Sequence, residues 1–176
     1  MLDSLVLTGA EKANQRWIEA VHSIHYIMKF EEACLFGLNE FDHPDNAICR
    51  ESYDTAFLAV GGVLKGIDMV MQKEVTNVFC AVRPPGHHAE VDKPMGFCYF
   101  NNVAIGARYV QKHYGIERVA IIDFDVHHGN GTQHIFDQDP SVLYYSIHEH
   151  PSFAYPGTGR EFEVGIAEGD GYTVNS

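Results

Sequence analysis

The sequence predicts an α/β fold, a parallel, doubly wound sheet flanked by helices, and three observations carry that reading. From about residue 77 onward, short apolar strands alternate with helix-patterned stretches. The β-branched run Val119-Ala-Ile-Ile122 passes directly into Asp123-Phe-Asp-Val-His-His-Gly-Asn-Gly-Thr-Gln133, a strand running out into a Gly-rich loop. The loops after successive strands all carry histidines or carboxylates. In a parallel sheet those loops share the carboxyl edge, where ligands bind.

The elements follow in order. From Thr8 to Phe30, Trp17, Val21, Ile24, Ile27 and Met28 recur at helical spacing. Phe41-Asp-His-Pro-Asp-Asn46 has turn chemistry, and Ser52 is placed to cap a second helix running to about Met71. Within that helix Gly61-Gly62 costs about 1 kcal/mol per residue relative to Ala, which points to close packing there. Asn77 to Val82 reads as a short apolar strand, followed by the loop Arg83-Pro-Pro-Gly-His-His-Ala89. A helix from about Asn102 to His113 leads to a buried strand, Val119–Phe124; a short helix near Gly131–Phe136 leads to another, Val142–Ile147. There is no internal repeat, low-complexity tract or linker, so the 176 residues are expected to form one domain.

Composition narrows the class. Hydrophobic content of 45% and charged content of 20% suit a globular protein. A net charge of -12, from 24 acidic against 12 basic residues, repels phosphate backbones and excludes direct nucleic-acid binding, while favouring a cationic substrate or basic peptide. Cys34, Cys49, Cys80 and Cys98 form no CxxC pair and imply no disulfide framework. No apolar run approaches the roughly 20 residues of a membrane span, and no signal pattern opens the chain, so a cytoplasmic location is expected.

Alternation along a strand puts Asp123, Asp125 and His127 on one face, with Ile122, Phe124 and Val126 on the other. Carboxylate and imidazole at that spacing suit two of the three protein ligands of a catalytic zinc, with Asp123 left to hold a second cation or to orient a histidine. The pair His87-His88 has the pKa range for a general base and a proton donor to a leaving amine, and Asn130 is an amide able to back one imidazole. Gly86 and Gly96 would let backbone approach a ligand closely. Each motif alone has a plainer reading: His87-His88 as surface residues, Asp-x-Asp-x-His as a hydrogen-bond network, Phe97, Tyr99 and Phe100 as core aromatics, Cys98 as a small buried hydrophobe, and His113 and His134 on helix surfaces. Their joint occurrence in the loops of one sheet favours a site.

Arg83-Pro-Pro-Gly-His-His-Ala-Glu90, Gly96-Phe-Cys-Tyr-Phe-Asn-Asn102 and Asp123-Phe-Asp-Val-His-His-Gly-Asn-Gly-Thr-Gln133 together resemble the zinc-dependent histone deacetylase superfamily, in its class II and bacterial deacetylase-like branch, which includes acetylpolyamine amidohydrolase and acetoin-utilisation relatives. Ser146-Ile-His148 and Tyr155-Pro-Gly-Thr-Gly159 continue the match, which runs from about Val21 to Asn175. The resemblance implies an arginase/deacetylase-like fold and hydrolysis of N-acetyl-lysine or N-acetylated amines. It implies that Asp125 and His127 bind Zn2+, that His87 and His88 are the tandem acid/base histidines, and that Asp123 and Asn130 stand behind them. Asn130 replaces the aspartate of the class I branch. Phe97 and Tyr155 resemble the walls of the acyl-lysine channel, Gly96 its close-approach position, and Asp45 the acidic residue that grips the substrate backbone. Structural potassium or sodium ions are implied at Asp123, Asp125, His127 and Ser146, and at carbonyls near Phe136, Asp139, Val142 and Tyr172.

The family's fold is about twice this long. Residues 1–176 are therefore expected to be a partial catalytic domain, starting after the first strand and lacking the C-terminal half. The resemblance places a third zinc ligand and a carbonyl-polarising tyrosine in that half. The expectation is a chain inactive or nearly so by itself, completed by self-association or a complementing chain. The alternative is a non-catalytic acyl-binding module.

Overall fold

The computed structural model describes residues 5–176. Its centre is a parallel three-stranded sheet of β3 (Val119–Asp123), β4 (Val142–Ser146) and β5 (Thr173–Asn175), in that order. The register pairs Asp123 with Ser146 and Ser146 with Asn175, so all three strands end at one edge. Helix α5 (Asn130–Phe136) makes the crossover from β3 to β4. Helix α4 (Asn102–Tyr114) packs against β3, α1 (Gln15–Ile18) and α3 (Ser52–Met71) pack against α4, α2 (Ile24–Leu35) packs against α3, and a hairpin of β1 (Glu40–Phe41) and β2 (His43–Ala47) follows α2. The parallel α/β architecture is the one expected, and several elements differ in detail.

The single helical stretch expected over 8–30 is two helices. Ser23 starts the second, its hydroxyl accepting the Tyr26 amide hydrogen, so the chain turns between Ile18 and Ile24. The apolar spacing bridges that break because Ile18, Val21, Ile27 and Phe30 all enter one core, whereas Ile24 and Met28 face outward. The stretch 41–46 is a tight hairpin, with Asp42 at φ 61° between the paired Phe41 and His43. Helix α3 ends at Met71 as expected, but Ser52 lies inside it, and its hydroxyl accepts from Cys49 N at 2.9 Å. Close packing at Gly61 is real: a Cβ there would sit 1.7 Å from the Glu11 carbonyl oxygen.

Asn77–Val82 forms no ladder, because no described backbone pairs with it; it lies along α3, with Val78 and Cys80 packed over Gly66. Strand β3 stops at Asp123, one residue early, and only Ile121 in it is fully buried. Ile122 and Phe124 are exposed, so the strand is not the buried one expected. β5 was not foreseen: Thr173-Val-Asn175 is too short and polar for periodicity to register. Helix α4 runs one residue past the expected end, capped by the Asn101 side chain and closed by Gly115 at φ 69°. No described helix is long and apolar enough to cross a membrane.

An aromatic hub holds the loop that reaches the site. Phe30 stacks on Tyr99 at 4.8 Å and on Phe41 at 5.1 Å, with Phe100 edge-on at 5.6 Å. The Tyr26 hydroxyl donates to Tyr99 O at 2.6 Å, and the Tyr99 hydroxyl donates to Ala47 O at 2.5 Å. The segment Gly96–Asn102 is thereby fixed to α2 and the hairpin.

His22 adds a pH-sensitive tie to the same region. The Asn101 amide donates to its Nε2 at 2.9 Å, so the ring proton sits on Nδ1 and is donated to Val91 O at 3.1 Å. Burial lowers its pKa from 6.5 to about 4, against the raising effect of the Val91 and Glu90 carbonyls. A histidine depressed in the fold takes up its proton more readily when unfolded. Its contribution is therefore full above pH 6.5 and is lost as pH falls toward 4, a change of about 3 kcal/mol. Denaturant midpoints measured across that window should fall more steeply for the native chain than for His22→Gln. Superimposable profiles would contradict this.

Candidate active site

Two loops meet at the carboxyl edge of the sheet. His87 Nδ1 donates to Asp123 Oδ2 at 2.9 Å, and the Tyr144 hydroxyl reaches the same oxygen at 3.0 Å. His88 Nδ1 lies 2.8 Å from Asn130 Oδ1. The two imidazole rings sit 4.0 Å apart, each backed by its own oxygen acceptor. The loops are also joined by backbone, with Thr132 N donating to His87 O at 3.0 Å. Distance in sequence, 36 residues from His87 to Asp123 and 42 from His88 to Asn130, is closed by these bonds between the loops.

The surroundings tune these groups differently. Burial tends to raise the Asp123 carboxyl, but the His87 hydrogen bond and charge, the Asp125 amide and the Tyr144 hydroxyl outweigh it and hold it below the ordinary range. Asp123 is thus a carboxylate at neutral pH. Burial, with the neighbouring His87 charge, lowers His88 to about 4 despite the Asn130 bond, so His88 is a neutral imidazole at neutral pH.

Asp125 and His127 lie just beyond β3 and are half exposed. Strand alternation does not place them, contrary to expectation, because the strand has already ended. Asp123 Oδ1 accepts the Asp125 amide hydrogen at 3.2 Å, and Asp125 Oδ1 accepts that of His127 at 2.8 Å. These successive Asx-type bonds bend the chain out of extended geometry. The His127 Nδ1 then sits 3.2 Å from Asp125 Oδ1, and the His127 ring lies 6.1 Å from that of His88. One carboxylate and one imidazole, side by side and solvent-accessible, are a donor set that fits two positions of a zinc ion. Among the described residues no group of three His, Cys, Asp or Glu side chains is placed to hold a metal.

The residues expected to touch substrate are distributed around His88. The Tyr155 ring packs edge-on against His88 at 5.0 Å and lies 6.4 Å from His127. Burial raises the Tyr155 phenol, while Asp45 is exposed in the β1–β2 hairpin, its Oδ2 3.3 Å from His43 Nδ1. Phe97 is 58% exposed and is not a core residue, unlike the buried Tyr99 and Phe100; its backbone sits at φ 64° and its amide donates to Asn46 Oδ1 at 3.2 Å. Gly96, at φ 53°, and Gly86 are tight for reasons other than a ligand. A Cβ on Gly96 would sit 2.3 Å from the His88 ring, and one on Gly86 would sit 2.5 Å from Asn102 N. Cys98 is fully buried, and burial pushes its thiol up to about 12, so it is inert packing. His113 is exposed, and His134 is not idle, since its Nδ1 donates to Glu90 at 2.8 Å.

The expected monovalent-cation residues fall in two places. Asp123, Asp125, His127 and Ser146 share the sheet edge, where the Ser146 hydroxyl lies 2.8 Å from His148 Nδ1. Phe136 and Asp139 carbonyls accept from the Asp139 and Val142 amides in the turn before β4, and Tyr172 O accepts from Tyr144 N beside it. Each of these carbonyls keeps a second lone pair.

Residue-type reasoning missed Tyr144, Glu90 and the His128 network. Tyr144 was legible in principle, because alternation on β4 puts it on the face of Val142 and Ser146. His128 is buried, with Nδ1 2.8 Å from Thr158 Oγ1 and Nε2 2.8 Å from Gln133 Oε1, which ties the loop carrying Tyr155 to α5. A cleft of about 320 Å3 borders His87, Asp123 and Asp125; a larger one, about 440 Å3, lies between α3, α4 and β3 but is apolar and has no titratable lining.

A domain model described as the histone deacetylase domain matches residues 1–176. A probable deacetylase of Archaeoglobus fulgidus is 42% identical over 174 residues, covering 98% of this chain and 47% of the relative. A polyamine deacetylase of Danio rerio is 40% identical over 176 residues, covering 93% of this chain and 26% of the relative. The crystal structure of the HDA15 HD domain superposes with a TM-score of 0.91 at 38% identity, over 98% of this chain and 50% of that one. The chain thus spans about half, or less, of the length of these relatives.

Proposed function

Because the chain belongs to the histone deacetylase family, we propose that it supplies the metal-proximal and proton-transfer half of a zinc-dependent hydrolase that removes acetyl groups from lysine side chains or acetylated amines. The observation that carries this reading is the pair of backed imidazoles, His87 on Asp123 at 2.9 Å and His88 on Asn130 at 2.8 Å, beside Asp125 and His127. Zinc, when bound, makes water available as a nucleophile near neutral pH and polarises an amide carbonyl.

The chain's own groups do the rest. Asp125 and His127 would hold the ion. The Asp123 carboxylate keeps the His87 proton on Nδ1, which leaves Nε2 free to accept a proton from an attacking water. It also stabilises the imidazolium that results. His88, neutral with its Nδ1 proton committed to Asn130, stands beside it to take up a proton on Nε2 as the water attacks and to release that proton to the departing amine. Tyr155 and Phe97 wall the approach, and Asp45 offers a carboxylate to the substrate backbone or to its positive charge. The net charge of -12 favours cationic substrates, a basic acetyl-lysine peptide or an acetylated polyamine. A cytoplasmic setting and structural potassium or sodium at the two positions expected for them accompany this reading.

A catalytic zinc uses three protein donors, and the described residues bring two together. The 176 residues alone should therefore release acetate slowly or not at all. A chimera in which the remaining half of the Archaeoglobus fulgidus relative follows Ser176 should do so readily in the presence of zinc. Acetate released from an acetyl-lysine peptide and from an acetylated polyamine measures both. Acyl binding without turnover in the chimera would instead favour a non-catalytic binding module.

A further inference from the structure

We propose that Glu90 is a positioning residue that sets the tautomer of His88 by fixing which way the Asn130 amide faces. The inference deepens the reading of His88 as a proton-transfer group, and its test reads no turnover.

An asparagine can present either its oxygen or its NH2 to a neighbour, and the two differ by a half-turn of the side chain. At Asn130 the choice is made by what lies on its far side. Its Nδ2 donates to Glu90 Oε1 at 2.5 Å and to the His88 carbonyl oxygen at 3.3 Å. A carboxylate and a carbonyl only accept, so the NH2 must face them and Oδ1 must face the His88 ring. His88 Nδ1, 2.8 Å from that oxygen, must then be the donor, and the lone pair is left on Nε2. The carboxylate bond is the short, charge-assisted one, and it is the stronger constraint. Glu90 is itself held in place, because His134 Nδ1 donates to the same Oε1 at 2.8 Å.

His87 needs no such device. Its partner Asp123 is a carboxylate, which offers an oxygen in either orientation. His88 is backed by an amide, whose orientation carries information, and Glu90 supplies it. Glu90 follows His87-His88-Ala89 in the same loop, so the residue that orients the amide travels with the imidazole it serves.

The test is the imidazole 15N spectrum of the 176-residue chain without added metal. In the native chain His88 should show the Nδ1–H tautomer alone. Glu90→Leu removes the strong acceptor and should give a mixture of tautomers at His88, with His87 unchanged. Glu90→Gln, which still presents an oxygen to Asn130, should retain the native signature. Glu90→Leu combined with Asn130→Asp should recover a single Nδ1–H form, because a carboxylate needs no orienting. A merely structural role for Glu90 would not be rescued at position 130. The proposal is overturned if His88 is Nε2–H in the native chain, which needs no variant, or if Glu90→Leu folds and leaves His88 wholly Nδ1–H.

Discussion

Replacing His88 by alanine in the completed chimera should lower kcat for acetate release about 100- to 10,000-fold, the usual worth of a positioned acid or base. KM should change little. The reason lies in what His88 touches. It is buried, its Nδ1 is committed to Asn130, and its ring lies against Tyr155 and His87. Its neutral state at working pH comes from burial and the neighbouring imidazole. Steady-state rates with an acetyl-lysine peptide check the expectation. A kcat within a few-fold of the unsubstituted chimera would remove His88 from the chemistry.

The second large effect concerns the metal. Asp125→Ala and His127→Ala should each lower the affinity of the chain for zinc at least about tenfold, since each would remove one of the two proposed protein donors and orienting contacts alone are worth that much. The two side chains are coupled, because Asp125 Oδ1 accepts from both the amide and the ring of His127. Loss of the carboxylate frees the imidazole to rotate, and loss of the imidazole leaves a lone, hydrated carboxylate. His88→Ala should leave zinc affinity unchanged, since its ring is held back by Asn130. That contrast separates metal holding from proton transfer within one loop cluster.

Much of the architecture was legible because local signals and tertiary context agree there. Asn101 at a cap and Gly115 beyond the last turn bracket α4, and the apolar runs of β3 and β4 flank a short helix of the right length for a parallel crossover. The misreadings have specific causes. Between Ile18 and Ile24 the apolar rhythm survives a chain reversal, because residues of both helices enter one core. Asn77–Val82 has strand composition, but a strand exists only through a partner's backbone, which a residue pattern does not contain. β5 is three residues long and has no room for a period.

The candidate site divides in the same way. Tandem histidines, the carboxylate before the loop and the amide within it stood out because their types are costly to place without a purpose. The link between them was invisible: nothing in residue order says that Tyr144 shares Asp123 Oδ2 with His87, or that Glu90 reaches Asn130 from behind. The position of Asp125 and His127 was anticipated for the wrong reason. Two Asx-type bonds, and not strand alternation, bring them together.

A calorimetric zinc titration of the 176-residue chain, run beside Asp125→Ala, His127→Ala and His88→Ala, tests the metal site most directly. One weak site, micromolar or poorer, is expected, lost in the first two variants and kept in the third. Submicromolar binding would mean that a further donor has gone unrecognised. Binding unchanged by loss of Asp125 and His127 would contradict the metal site itself.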